Sequence, residues 1–475
     1  MTRSASSMAQ HLIDELGRIV SPPYVSGGIF ERIKNATTPL GLPAEEERLP
    51  YAVVMPADSQ QIAAILKLAN RERISVFVRG SGTSLIGHSR PHCRGIVLNT
   101  HRMRKLTLFE SYGYFECGPG LTAAKLGEAL ARIDCFLPVW PGSRVIASMG
   151  GLVCNNTSGH IVDVCFGKPG DYILGLEVVL PDGQVIQTGS KGLRRIAGTD
   201  LTKFFVGGDG LMGVVTNIRM RLVPRLQQAY GVAVFNDLGA LARGVRRIFA
   251  ERHPPPLFME MMDHKVAEIG YGIRGMAPPP GAVLMFGAVS ASQRGASEKI
   301  SRMLAVFSDS GAAELQLVED ERVWQQIVAA REVIGSYLLQ QVDGVLNSAE
   351  VVSNLAGLEE AMDDVTHFNR GLPLIGQLDN YLFGHIGALT FHPSFVFPRR
   401  WTTAEQKSAL EEIFRREMEL NLKYDTCGGE WGQFGLRTPF FKAKYGAAGF
   451  DLIRAFKQAV DPHNILNPGI LEGYR

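Results

Sequence analysis

The sequence predicts an α+β chain on three observations. Strand and helix patterns alternate through the first half, glycine clusters punctuate them, and the second half adds exposed Pro-rich loops and a capped helix. The first of these helices follows Pro56, where Asp58 or Ser59 can cap a segment whose apolar Ile62, Ile65, Leu66 and Ala69 fall at helical spacing. It delivers the chain into a strand, Val76-Phe77-Val78, which runs into Arg79-Gly80-Ser81-Gly82-Thr83-Ser84-Leu85-Ile86-Gly87-His88-Ser89. Glycines there let backbone N–H groups come close to an anion, and Arg79 and the hydroxyls supply further donors. Taken alone, such a loop also fits an ordinary turn.

After a Gly118-Pro119-Gly120 turn, Thr122 can cap a helix carrying Leu126, Leu130 and Ile133, which Pro138 stops from extending. A second cluster, Ser148-Met149-Gly150-Gly151 through Asn155-Asn156, combines missing side-chain bulk with nearby amides. The apolar run Tyr172–Leu180 then enters Pro181-Asp182-Gly183-Gln184, a hairpin turn into Val185-Ile186-Gln187-Thr188. The third cluster, Gly207–Gly213, contains a literal GxGxxG, which in a dinucleotide fold opens a helix. Here Val214–Leu222 follows and alternates as a strand does, so that assignment fails. Three clusters, each read as lying between strands, suggest one extended ligand along a domain. In the second half, Pro254-Pro255-Pro256 and Pro278-Pro279-Pro280 read as exposed loops. Thr402 and Glu405 form a capping box ahead of a helix with Leu410, Ile413, Phe414 and Met418 on one face.

A chain of 475 residues holds about two to three domains. Its 49 Lys+Arg balance 47 Asp+Glu without a long run of one sign, which argues against a nucleic-acid or membrane-surface partner and for a small molecule. Asp14 and Glu15 interrupt the opening segment, so no signal peptide is expected, and no apolar run nears the ~18 residues of a membrane span. The expected location is cytoplasmic, or peripheral at a membrane through a partner. The six cysteines form no CxxC pair, so the chain is not expected to ligate an iron–sulfur cluster itself.

Pro56, Arg79–Thr83, Gly150-Gly151 with Asn156, Asp171–Gly183 and Gly207–Thr216 together resemble the PCMH-type FAD-binding domain of the vanillyl-alcohol-oxidase superfamily. Phe258–Asp263, Gly384-His385-Ile386-Gly387, His392-Pro393, Gly429-Glu430 and Asp461–Gly469 are similar to the FAD-linked D-lactate, glycolate and D-2-hydroxyglutarate dehydrogenases. The resemblance implies an N-terminal helical segment (1–47), a FAD-binding domain of two α/β subdomains (48–224), a substrate cap domain with an antiparallel sheet and flanking helices (225–420), and a C-terminal segment returning to the FAD domain (421–475). It assigns FAD to Arg79, Gly80, Ser81, Gly82, Thr83, Gly87, His88, Ser89, Ser148, Gly151, Asn156, Gly208, Gly210, Gly213, Val215 and Asn467. His88 stands where the dehydrogenases have glycine and raises covalent flavin attachment, although noncovalent FAD is the expectation.

The same resemblance makes His385, His392 and Glu430 ligands of zinc or another divalent metal, a sound donor set. Here Ala388-Leu389-Thr390 replaces the family's Asp-Gly-Asn between the histidines. The catalytic candidates are His385, His392, Glu430, Trp431 and Arg437. Trp431 replaces the histidine expected as base, and an indole N–H donates but cannot accept a proton. Ser348-Ala349-Glu350 replaces a Lys-Tyr-Asp that would meet a carboxylate, and Ser394 replaces a common Asn.

The expected reaction is dehydrogenation of an alcohol or 2-hydroxyacid, bulkier or more aromatic than lactate, with hydride passing to flavin N5. Electrons would leave to an external acceptor, a quinone, electron-transferring flavoprotein, iron–sulfur subunit or oxygen, in a homo- or hetero-oligomer. Two alternatives stay open: a phenol-type oxidase or hydroxylase like the vanillyl-alcohol and p-cresol branch, and a FAD-containing electron-transfer or assembly subunit of a larger complex.

Overall fold

The computed structural model describes residues 5–37, 46–84, 89–157, 159, 163–192, 198–251, 253, 255–341, 344–427 and 434–471. The chain divides into two units. The first comprises Met1–Ser158, Lys168–Arg225 and Gln433–Arg475, and the second Gly159–Gly167 and Leu226–Gly432. The stretch 159–167, inside the segment expected to belong wholly to the FAD domain, thus groups with the second unit.

The first unit begins with α1 (Ala5–Val20), α2 (Ile29–Ala36) and α3 (Ser59–Glu72) around a sheet of β1 (Val25–Ser26), β2 (Ala52–Val54), β3 (Ser75–Arg79) and β4 (Gly95–Asn99). Its order is β1-β2-β4-β3, parallel except for β1. Leu12 and Leu16 of α1 and Ile62 and Leu66 of α3 share one core with Val76 and Leu98, so the N-terminal helix is built into this unit. Asp58 caps α3 as expected, its Oδ1 accepting from Gln61 N at 2.9 Å.

A second group follows: β5 (Leu106–Phe109), β6 (Tyr114–Cys117), β7 (Cys135–Phe136), β8 (Ile173–Val179), β9 (Val185–Gln187), β10 (Val214–Arg221) and β11 (Val223–Pro224). Five form an antiparallel sheet ordered β5-β6-β10-β8-β9, and β7 pairs with β11. The expected hairpin joins β8 to β9, with Leu180 N donating to Gln184 O and Gly183 at φ +83°. Thr122 caps α4 (Ala123–Ala131), which ends before the Ile133 expected inside it.

One expectation is corrected. The second glycine cluster does not lie between strands but opens a helix, α5 (Met149–Asn155). Glycine is a poor helix former, and close packing explains the outcome: a Cβ on Gly150 would sit 2.6 Å from Pro119 Cβ.

The second unit is built on β12 (Gln227–Phe235), β13 (Phe258–Met262), β14 (Ala282–Ser290), β15 (Glu314–Val318), β16 (Gly344–Ser348), β17 (Val351–Val352), β18 (Tyr381–Gly384) and β19 (Thr390–Pro398). The sheet runs β15-β12-β14-β13-β18-β19-β16, antiparallel throughout, with β17 also on β19. Its helices are α6 (Leu238–Ala250), α7 (His264–Ile273), α8 (Gln293–Asp309), α9 (Glu321–Gln341), α10 (Leu358–Thr366) and α11 (Thr403–Lys423). Phe235, Met259, Met261, Phe286, Phe391 and Phe395 form a core on one sheet face with Leu241, Phe307, Met362 and Ile413 from α6, α8, α10 and α11.

Because side chains alternate along a strand, the other face receives Glu260 and Met262, Phe383 and His385, and His392 and Ser394. The α11 capping box forms as expected, but the buried face is not the expected apolar stripe. Glu412, Ile413, Glu417 and Leu420 are buried, whereas Phe414 and Met418 are half-exposed. Burial of Glu412 is explained by the backbone N–H groups of Leu374 and Ile375 that donate to it.

The first unit closes with the kinked α12 (Phe434–Val460), bent at Gly446, whose φ of +70° is left-handed.

Candidate active site

In the first unit the glycine clusters converge on a polar cradle. β3 ends at Arg79, and the loop after it is held by Ser148, whose Oγ accepts from Ser81 N at 3.3 Å. A Cβ on Gly80 would collide with that same Oγ, and Gly82 adopts φ +70°, so both positions require glycine. The Arg79 guanidinium folds back along the loop, where a Cβ on Gly82 would collide with its Nη2. Its Nη1 donates to Ser89 Oγ (3.0 Å) and Thr37 O (3.2 Å), and burial lowers its pKa to about 10. It therefore braces the loop against the C-terminal end of α2.

The third cluster is shaped by equally close contacts. A Cβ on Gly208 would lie 2.8 Å from Phe204 O, one on Gly210 2.9 Å from Asn467 Nδ2, and one on Gly213 2.5 Å from Val178 Cγ1. Val215 is buried in β10 beside Val178, and Gly151 lies in α5. Asn156 ends α5 in the left-handed region, its Oδ1 accepting from Gly170 N at 2.9 Å. Asn467 bridges β3, just ahead of the first cluster, and the third cluster: Val78 N donates to its Oδ1 (3.0 Å) and its Nδ2 donates to Gly210 O (2.9 Å).

Among the described residues, Ser81 Oγ and Ser84 Oγ are buried without a hydrogen-bond partner. Buried hydroxyls are ordinarily satisfied, and two left open beside a glycine-lined backbone fit the diphosphate of FAD. Gly80→Ala should therefore cost about 1–3 kcal/mol of cofactor binding, or ~5–150-fold in affinity. The flavin-to-protein absorbance ratio checks this, and Gly80→Ala combined with Ser148→Ala should recover part of the loss.

In the second unit a charged group lies on the sheet face opposite the Phe286 core. Glu260, 2% exposed on β13, accepts from His385 Nδ1 through Oε1 and pairs with Arg331 Nη2 of α9 through Oε2 at 3.3 Å. The Arg331 guanidinium lies 4.4 Å over the Phe383 ring. Burial pulls its pKa down, opposed by Glu260 and Glu332.

The His385 and His392 rings meet edge to face at 5.1 Å. His392 Nδ1 lies 3.3 Å from Ala349 O, a contact that assigns the hydrogen to Nδ1 and the lone pair to Nε2. Burial, the neighbouring His385 and Arg331 hold His392 well below the usual histidine pKa, so it is neutral at pH 7. A tight turn joins the histidines, with Leu389 in the left-handed region at φ +57° where Gly or Asn is favoured. Beside His392, the buried Ser348 and Ser394 hydroxyls bond each other at 2.6 Å. Aromatic rings extend the same face: Trp324 stacks on Tyr230 at 4.2 Å and tilts against Phe258 at 5.6 Å.

Of the residues expected from sequence, Gly87, His88, Glu430 and Trp431 and the side chain of Arg437 lie outside the described residues. Among the described residues no group of three or more His, Cys, Asp or Glu is placed to hold a metal. No helix of the described residues is long and apolar enough to cross a membrane. Sequence reading missed Glu260 and Arg331. A lone carboxylate within Phe258-Met259-Glu260-Met261-Met262 was a usable signal, since a buried charge demands a partner. Arg331 in the middle of a helix carried no comparable signal.

Residues 50–189 match the FAD binding domain family, and residues 226–471 match the C-terminal domain of FAD linked oxidases. The chain belongs to the FAD-linked oxidases. This FAD-linked oxidase is 29% identical over 435 residues to the glycolate oxidase subunit GlcD of Bacillus subtilis, covering 89% of each chain. It is also 29% identical over 466 residues to the D-lactate dehydrogenase of Archaeoglobus fulgidus, covering 96% of this chain and 98% of that one. It shares its fold with p-cresol methylhydroxylase, at a TM-score of 0.79 and 17% identity over 99% of this chain and 97% of that one. The PCMH-type FAD-binding fold and the antiparallel C-terminal domain expected from sequence are thus both present.

Proposed function

We propose that this FAD-linked oxidase dehydrogenates an alcohol or 2-hydroxyacid bulkier or more aromatic than lactate and passes the electrons to an external acceptor. The supporting observation is the buried set of Arg331, Glu260, His385 and His392 on one sheet face. Bound FAD supplies a hydride acceptor at N5. Arg331 keeps Nη2 on Glu260, while its Nε, without a hydrogen-bond partner among the described residues, is the anchor for a substrate carboxylate. His392 takes the hydroxyl proton on Nε2 as the carbinol hydride leaves, so the alcohol loses two electrons and two hydrogens. Ser348 and Ser394 satisfy each other and bring no cation to a small acid, while Phe383, Phe258 and Trp324 favour a larger apolar body.

A metal-assisted version is a second reading, supported by the tie of each histidine Nδ1 to an acceptor, which orients Nε2 for a ligand. His385, His392 and Glu430 would hold the ion, and it would polarise the substrate oxygen. Chelation of the purified protein should abolish substrate-dependent flavin bleaching under this reading. It should leave bleaching intact if His392 works alone.

Anaerobic mixing with a panel from D-lactate and D-2-hydroxyglutarate to D-mandelate and benzylic alcohols tests the function. Bleaching by the larger members with failure of the small acids is expected; no bleaching by any member would favour the electron-transfer or assembly subunit.

A further inference from the structure

The cradle in the first unit depends on a distant piece of chain, the C-terminal segment that the sequence reading expected to return to the FAD domain. Ile465 and Leu466 add to the outer edge of β3: Val76 N donates to Ile465 O (2.7 Å), Asn467 N donates to Val76 O (2.8 Å), and Val76 and Leu466 form a parallel bridge. Asn467 then clamps Val78 of β3 and Gly210 of the third cluster, two points far apart in sequence.

What holds this segment is a buried ion pair. Lys457, in the last turn of α12, donates to Asp461 Oδ2 (2.5 Å), Leu466 O (2.7 Å) and Leu211 O (3.0 Å). Asp461 in turn accepts from Ile465 N (3.0 Å) and Leu466 N (2.9 Å). The two side chains are 9% and 0% exposed. One ammonium therefore joins the C-terminal segment to Leu211, inside the third glycine cluster. The carboxylate shapes the turn that presents Asn467. A buried charge is retained at such a place only with a full set of partners, and losing one partner disrupts the others.

We propose that residues 461–467, fastened by Lys457 and Asp461, form a strap that closes on the FAD cradle, so that strap docking and FAD binding stabilise each other. The two events share β3 and the third cluster, and linkage makes their coupling reciprocal. Lys457 and Asp461 are positioning residues, because they act through Asn467 and Leu211. The inference rests on FAD binding by this chain, and a purified protein without a flavin spectrum would remove that premise rather than the strap.

Two measurements test it. In the wild-type full chain, hydrogen exchange at the amides of Ile465, Leu466 and Asn467 is compared with and without FAD. Their protection should fall by about 5–150-fold on FAD removal, while the β6–β10 ladder keeps its protection. In Lys457→Met, FAD release followed by flavin fluorescence should occur below the temperature of global melting and with affinity reduced over the same range. Unchanged strap exchange on FAD removal, or FAD release from Lys457→Met only at global melting, would overturn the proposal. If Lys457→Met fails to fold, the wild-type exchange experiment decides.

Discussion

Arg331→Met is expected to destabilise the second unit by about 3–5 kcal/mol, because it strands Glu260 as a carboxylate whose side chain is 3% exposed. Glu260→Gln should cost a comparable amount for the converse reason, leaving the buried Arg331 guanidinium without its paired carboxylate, with only the field of Glu332 in support, and weakening the hold on His385 Nδ1. The double variant carries no uncompensated charge. Its cost should fall short of the summed singles by about 0.5–3 kcal/mol, the signature of directly coupled groups. Urea unfolding of the four proteins measures this, and additive losses would show that the pair is not coupled.

The same arginine separates the substrate classes. Arg331→Met should raise KM for carboxylate-bearing substrates while leaving KM for uncharged benzylic alcohols unchanged. An equal rise for both classes would remove Arg331 from carboxylate binding and leave it a structural partner of Glu260.

His392→Gln is expected to slow flavin reduction by ~10²–10⁴-fold with little change in KM, the size of effect that loss of a positioned base produces. The argument rests on burial. His392 is 5% exposed and neutral, with Nδ1 tied to Ala349 O. His385 is more open, at 18% side-chain exposure, and is already bound to Glu260. His385→Gln should therefore have the smaller effect if His392 acts as the base. Equal collapse of both variants, together with loss of a bound divalent ion, would instead identify the pair as metal ligands. Anaerobic stopped-flow bleaching with metal analysis of each variant separates these outcomes.

Much of the cofactor unit was legible because its signals are local. Asp58 and Thr122 each cap a helix through bonds spanning three residues, and Pro181–Gln184 turns on the left-handed φ of Gly183. The third cluster was separated from a dinucleotide fingerprint by the alternation of Val214–Leu222 alone, and β10 forms there. Errors arose where packing overrode local preference. Gly150 is kept in a helix because Pro119 requires a residue without a side chain against it, and the buried face of α11 turned to Glu412 because the Leu374 and Ile375 N–H groups needed an acceptor.

The sequence by itself determined the fold class and the FAD-linked family, since glycine spacing, caps and turn residues act over a few positions. It also marked His385 and His392 as a pair, because a single hairpin carries both. Only the tertiary structure decided what those histidines meet. Glu260 on β13, Arg331 on α9 and His385 after β18 come from distant segments, and antiparallel register with the α9 packing brings them together. The same holds for Lys457 and Asn467, which reach Leu211, Val78 and Gly210 hundreds of residues away. Buried charges select partners by three-dimensional proximity in a medium that penalises isolation, and that proximity has no period for a sequence to display.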